Sequence, residues 1–212
     1  SDTIFTATTG SSKLATISAG SFSGDLTLPA AVAALNQTIT TGTGNDTVAM
    51  GGRLTAADTI DLGGNSLIAG TATTGSDTLT ATGNIGSVLA ASALNISNVE
   101  AYEQAIGAQA ATYIDASKLS GVSSLAFSND TNGGTVKLTN VASGQKIGLG
   151  IGASAANVVE LGKTATVTLD VALADATGTE DSITLDYADG TLEANSVTLK
   201  TAGIETLNIA AP

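Results

Sequence analysis

The chain contains no cysteine, no histidine and no tryptophan. Without thiol or imidazole there is no Cys-His or Ser-His nucleophile pair, no disulfide and none of the usual zinc ligand sets, so any bound metal must be held by oxygen. Aromatic residues make up 3% of the 212 positions. That excludes a core built on large rings and leaves one that is thin, regular and aliphatic. Positive charge is equally scarce. Seven basic residues (Lys13, Arg53, Lys118, Lys137, Lys146, Lys163 and Lys200) stand singly along the chain against 19 acidic ones, for a net charge of −12. No nucleic-acid partner is expected from that distribution. Long apolar runs are also missing. The longest candidate, Leu28-Pro29-Ala30-Ala31-Val32-Ala33-Ala34-Leu35, falls far short of the ~20 residues of a membrane-spanning helix, so no membrane insertion is expected, and no stretch reads as a cleavable signal peptide.

What is present is small and β-prone. Hydrophobic residues make up 42% and charged residues only 12%, a balance that favours a folded chain over a solvated disordered one. Val, Ile or Leu alternates with Thr in short runs, as in Val136-Lys137-Leu138, Ile147-Gly148-Leu149, Val158-Val159-Glu160-Leu161, Val167-Thr168-Leu169, Ile183-Thr184-Leu185, Val197-Thr198-Leu199 and Leu207-Asn208-Ile209. They recur about every dozen residues between Gly, Asn, Asp and Ser, which reads as all-β. The spacing fits a parallel β-solenoid, β-helix or β-roll-like, or a stacked β-sandwich. Small residues and few aromatics favour the narrow interior of the solenoid. Short helices are allowed at 29–35, with Pro29 near a first turn, and at 100–113, rich in Ala and Gln.

An internal echo links Gly75-Ser76-Asp77-Thr78-Leu79-Thr80, followed by Asn98-Val99-Glu100, to Thr179-Glu180-Asp181-Ser182-Ile183-Thr184, followed by Gly203-Ile204-Glu205. The acidic pairs are 23 and 24 residues apart (77 to 100 and 181 to 205). We read this as a degenerate repeat that divides the chain into a β module over 1–110 and a second over 111–212, or as one continuous β-rich domain.

The sharpest motif is Thr41-Gly42-Thr43-Gly44-Asn45-Asp46-Thr47-Val48-Ala49. It matches the calcium β-roll nonapeptide G-G-x-G-x-D-x-U-x at every specified place except the first glycine. The glycines let a turn present carbonyls, the aspartate supplies a hard oxygen, and the aliphatic residue anchors the next strand. Asp58, Asp61 and Gly63 follow about one 18-residue coil later, and Asp77 and Asp181 head poorer copies. The candidate calcium set is therefore Gly42, Gly44, Asp46, Asp58, Asp61, Gly63, Asp77 and Asp181. Against it stands turn capping, in which each carboxylate bonds backbone two residues on. The two readings weigh equally at Asp46, and capping is preferred at Asp77 and Asp181. Gly150-Ile151-Gly152-Ala153-Ser154-Ala155, with Asp170 downstream, mimics a dinucleotide fingerprint but leaves no room for the helix that the fingerprint opens. The pairs Glu180 with Asp181 and Glu100 with Glu103 lack the aromatic platforms of carbohydrate enzymes and read as solvated turn charges.

The phrases Gly42-Thr43-Gly44-Asn45-Asp46-Thr47-Val48, Ala57-Asp58-Thr59-Ile60-Asp61-Leu62-Gly63-Gly64, Tyr113-Ile114-Asp115-Ala116-Ser117-Lys118-Leu119, Ile96-Ser97-Asn98-Val99-Glu100 and Gly203-Ile204-Glu205-Thr206-Leu207-Asn208-Ile209 resemble those of RTX-type bacterial surface-layer (S-layer) proteins and related secreted giant adhesins. The resemblance implies one-step secretion, calcium-dependent folding outside the cell, and a parallel solenoid or stacked sandwich that assembles on the cell envelope. A tandem array of intact nonapeptides, usual in that family, is missing here. The expectation is a non-enzymatic structural protein, secreted to the extracellular surface of a bacterium, calcium-stabilised and self-assembling, with cell-envelope glycan as a further partner. The alternatives are an adhesin or carbohydrate-binding module, which would cluster Tyr102, Tyr113 and Tyr187 on one exposed face, and a β-helix polysaccharide lyase, which would set Arg53 beside an Asp46–Asp61 acidic cluster.

Overall fold

The computed structural model describes residues 5–6, 13–29, 35–65, 75–82, 93–106, 111–129, 134–149, 166–187 and 196–210. The strands in the first half are β1 (Phe5–Thr6), β2 (Thr16–Ser18), β3 (Leu26–Leu28), β4 (Thr38–Thr40), β5 (Thr43–Gly44), β6 (Thr47–Gly51), β7 (Thr59–Asp61), β8 (Gly64–Asn65), β9 (Thr78–Thr82) and β10 (Asn95–Ser97). Those in the second half are β11 (Ala101–Ile106), β12 (Ala111–Asp115), β13 (Ser124–Asn129), β14 (Gly134–Val141), β15 (Gln145–Leu149), β16 (Thr166–Leu173), β17 (Ser182–Tyr187), β18 (Ser196–Ala202) and β19 (Thr206–Ala210). The fold is all-β and parallel, compatible with a β-solenoid. One sheet of nine strands, β1-β3-β6-β9-β11-β13-β15-β17-β19, runs the length of the described chain. A second face is formed by β2-β4-β7-β10 in the first half and by β12-β14-β16-β18 in the second. The long sheet thus crosses position 110 unbroken, while the companion sheet changes there.

Strand formation follows from alternation. Inward positions of the long sheet form a continuous column, Leu28, Val48, Leu79, Tyr102, Leu125, Ile147, Leu185 and Ile209, each in register with the next. From Leu28 to Leu185 every member is buried. On the companion sheet Ile17, Ile39, Ile60 and Ile96 stack in the same way, flanked by ladders of Thr, Ser, Asn and Asp. A few mostly aliphatic side chains per coil fill so narrow an interior, with Tyr102 and Phe127 the fully buried rings. Burying each contributes roughly 1.5–3 kcal/mol.

Two expectations are corrected. The described residues of 100–113 are not helical: β11 occupies 101–106 and β12 begins at Ala111. Tyr102 and Gln104, two apart, are both buried, and the Tyr102 hydroxyl donates to Gln104 Oε1 at 2.6 Å, a period-2 arrangement that overrides the helix preference of Ala and Gln. Among the described residues the sole helical turn is the 3-10 turn Ala116–Lys118. The coils are also longer than the roughly 18 residues of two nonapeptides. Hydrogen-bonded partners on adjacent coils lie 20 residues apart at Leu26 and Asp46, 21 at Gln37 and Asp58, and 24 at Asp181 and Glu205. Of the strand-like runs in the sequence, Val158-Val159-Glu160-Leu161 lies outside the described residues, as do Gly150-Ile151-Gly152-Ala153-Ser154-Ala155 and most of 29–35.

Candidate functional site

Acidic residues recur immediately before strands of the long sheet. Asp25 precedes β3, Asp46 precedes β6, Asp77 precedes β9, Glu100 precedes β11, Asp181 precedes β17 and Glu205 precedes β19. Their carboxylates lace neighbouring coils together. Leu26 N–H donates to Asp46 Oδ1 at 2.8 Å, Asp46 N–H to Asp77 Oδ1 at 2.6 Å, and Asp77 N–H to Glu100 Oε2 at 3.0 Å. Asn45 N–H donates to Asp25 Oδ1 at 2.7 Å. The Asp181 N–H donates to Glu205 Oε2 at 3.0 Å. The echo in the sequence is therefore one structural device used twice: each Asp-to-Glu spacing is a single coil, and the carbonyl of the Asp accepts two N–H groups from the coil that carries the Glu.

Each capping carboxylate uses one oxygen. The other oxygen of Asp46 and of Asp77 is buried without a hydrogen-bond partner, as are Asp181 Oδ2, Asn45 Oδ1 and Asn65 Oδ1. Asn45 lies against the backbone of Gly75, where a Cβ would meet its side chain, so Asn45, Asp46 and the segment leading to Asp77 meet at one corner of the stack. Burial there pushes the Asp77 carboxyl up to about 7, with the Asp46, Glu100 and Asp25 charges adding to the rise and the Asp46 N–H opposing it. Buried oxygen atoms without donors, beside a carboxyl held partly protonated, are the electrostatic signature of a place that favours a cation or a proton. Among the described residues no three acidic side chains converge as a group able to hold a metal. Asp46 and Asp77 are brought together on neighbouring coils by the Asp46 N–H to Asp77 Oδ1 bond, with Asn45 Oδ1 against Gly75, and hard oxygen donors of this kind are those that suit calcium.

The other candidates are distributed over different corners. Asp58 precedes β7; its Oδ1 accepts from Gln37 N–H at 2.7 Å and its Oδ2 from Thr55 N–H at 2.7 Å and Thr55 Oγ1 at 3.0 Å. Both oxygens are engaged, so the turn cap describes Asp58. Asp61 closes β7 and accepts from Gly63 N–H at 3.1 Å and Asn98 Nδ2 at 2.7 Å, and the Asn98 bond is the main cause that holds its carboxyl below the usual range. Gly42 and Gly63 meet between coils. A Cβ on Gly42 would lie 1.8 Å from Phe22 O and one on Gly63 1.8 Å from Gly42 O, while Gly64 N–H donates to Gly42 O at 2.9 Å. A Cβ on Gly44 would lie 2.4 Å from Gly24 O. The nonapeptide glycines are thus explained by backbone stacking. Asp181 stands three strands of the long sheet beyond Glu100, just before β17, away from Asp46 and Asp77.

Sequence reasoning missed Asn45 and Asn65 as oxygen donors and Asp25 and Glu100 as members of the ladder. The signal was there: an acid directly before a Thr-aliphatic or Leu-Thr run, with Asn following Gly. Neither alternative finds the arrangement it asked for. Tyr102 is in the core while Tyr113 is 54% exposed, so the tyrosines do not share one exposed face. Arg53 follows β6 and Asp46 precedes it, which places them at opposite ends of that strand. No protein-family model, curated protein or solved structure matches this chain. No helix among the described residues is long and apolar enough to cross a membrane.

Proposed function

We propose that this protein is an extracellular structural module of a bacterial surface layer or surface filament, stabilised by calcium and associating with further copies of itself, with cell-envelope glycan as its other partner. The observation that carries the reading is the set of buried oxygens without donors on Asp46 and Asp77, which neighbouring coils bring together, and on Asn45 beside Gly75. Calcium supplies the positive charge that those oxygens lack and ties consecutive coils together, so that folding is linked to the calcium-rich exterior of the cell. Supporting it are the uniform parallel rungs, which transmit load along hydrogen-bonded ladders, and outer faces of Thr, Ser and Asn with little charge to oppose close approach of copies. The test is negative-stain microscopy and sedimentation of the purified chain in calcium and in chelator. Regular sheets or fibres that form in calcium and dissolve in chelator are expected. Unassembled particles in both conditions would reject the reading.

A further inference from the structure

Four residues far apart in the sequence form one line across the outer face of β12, β14, β16 and β18. Tyr113 pairs in register with Lys137, Lys137 with Asp170, and Asp170 with Lys200. Their chain neighbours Ile114, Leu138 and Val171 are buried in the core, so by strand alternation the line points outward. Tyr113 is 54% exposed and Lys200 is exposed, while Lys137 and Asp170 are half-buried. A second row on the same face, Thr135, Thr168 and Thr198, adds hydroxyl groups two residues away along the strands. Neither lysine enters an ion pair among the described residues, although Asp170 stands one strand from each; Lys146, by contrast, is held by Asp186 at 2.9 Å. In a chain of net charge −12, this line sets two cations against one anion. Exposed charges farther off than about 8 Å are largely screened at physiological ionic strength, so the line itself decides what approaches it.

We infer that this face binds an anionic polysaccharide that carries its acid on alternate sugars. The inference rests on the glycan partner proposed above and specifies its chemistry and its surface. An exposed tyrosine ring offers a platform for the apolar face of a sugar, and ammonium, carboxylate and hydroxyl groups beside it match the acids and hydroxyls of a glycan. The order of the groups supplies the specificity. Parallel strands lie ~4.8 Å apart, a step close to the length of one sugar in an extended chain. A polysaccharide laid across the strands sets a neutral sugar on Tyr113, an acidic one on Lys137, a neutral one on Asp170 and an acidic one on Lys200. The Asp170 carboxylate then accepts from sugar hydroxyls, and the two lysines, roughly 10 Å apart, match a disaccharide repeat. A polymer with an acid on every sugar, or an acidic peptide, would bring negative charge onto Asp170 and is selected against.

The experiment titrates the 212-residue chain by calorimetry with three soluble oligosaccharides of equal length: alternating glucuronate and N-acetylglucosamine, uronate alone, and N-acetylglucosamine alone. The alternating one is expected to bind tightest, with an affinity that falls as salt rises. Lys137→Gln and Lys200→Gln should each weaken it about fivefold, and Tyr113→Ala by about the same factor, with the Tm of each variant unchanged. Asp170→Asn should bring the all-uronate oligosaccharide closer to the alternating one. Equal affinity of the parent for those two, or binding indifferent to the lysine and tyrosine substitutions, would overturn the inference; loss of such binding in chelator would trace it to calcium bridging between acidic groups. A parent that binds no oligosaccharide, with lysine variants that no longer form sheets in calcium, would make the face a contact between copies and overturn it as well. No glycan binding with calcium-dependent sheets intact in parent and variants would overturn the inference and leave the surface-layer reading standing. Selective binding by a chain that forms no sheets would do the reverse.

Discussion

Replacing Asp77 by Asn isolates the electrostatics of the acidic corner. Asp77 is fully buried, and its carboxyl titrates near 7 in the fold against 3.8 when the chain is unfolded. Between those values the folded chain holds a proton that the unfolded chain has released, so the stability of the cation-free protein falls as pH rises from about 4 to about 7. At ~1.36 kcal/mol per pH unit, the full shift would amount to at most about 4 kcal/mol. Relaxation of the fold around the buried charge lowers that figure, so the expected loss is about 2 kcal/mol. The amide keeps an oxygen for the Asp46 N–H and cannot ionise, which removes the slope; its extra N–H group costs about 1–3 kcal/mol if unpartnered, equally at every pH. Urea unfolding of both proteins in chelator at intervals from pH 4 to 8 should give curves that separate by about 2 kcal/mol in favour of the variant between the two ends. Saturating calcium should stabilise the parent by about 2.7 kcal/mol at a hundredfold excess over Kd and leave the variant unchanged. A difference that stays constant from pH 4 to 8 in chelator would refute the reasoning.

Other outcomes follow from packing. Gly42→Ala drives a Cβ to 1.8 Å from Phe22 O, a backbone atom, and should cost more than about 4 kcal/mol in denaturant unfolding, whereas Gly64→Ala, with nothing within 4 Å of the new Cβ, should stay within about 1 kcal/mol. Leu125→Ala, at a fully buried position of the column, should cost about 2–5 kcal/mol without loss of the β-sheet circular-dichroism signal. Asn98 sits at φ 53° and donates to Asp61; Asn98→Ala should cost about 1–2 kcal/mol and Asn98→Gly less. In either variant the Asp61 carboxyl, followed by NMR titration, should move up toward 3.8 as its main hydrogen bond is lost.

The architecture was legible where a period could be counted. Alternation of aliphatic residues with Thr placed the runs beginning at Val136, Ile147, Val167, Ile183, Val197 and Leu207 in strands, because a half-buried strand needs little more than that pattern. The same rule was available at 101–106, but Ala101, Glu103, Gln104 and Ala105 also suit a helix, and only Tyr102 stacking on Leu79 and Leu125 decides between them. At the candidate site, single residues were legible and their grouping was not. Asp46, Asp58 and Asp61 are close in sequence, yet a turn of backbone sends them to three corners, while Asp46 meets Asp77, 31 residues on. The distance from coil to coil varies with the loops between them, and local motifs carry no record of it. For the same reason the glycines of the nonapeptide looked like carbonyl presenters, when the contact that forbids a side chain comes from the neighbouring coil.

The most direct test of calcium as the bond between coils is a thermal melt of the parent chain and of Asp46→Ala, each in calcium and in chelator. Asp46 is fully buried, with one oxygen bonded to Leu26 N–H and the other unpartnered. The expected result is a Tm that rises with calcium concentration in the parent and loses most of that rise in the variant. A parent Tm identical in calcium and chelator would contradict it, leaving the acidic residues as caps that join one coil to the next.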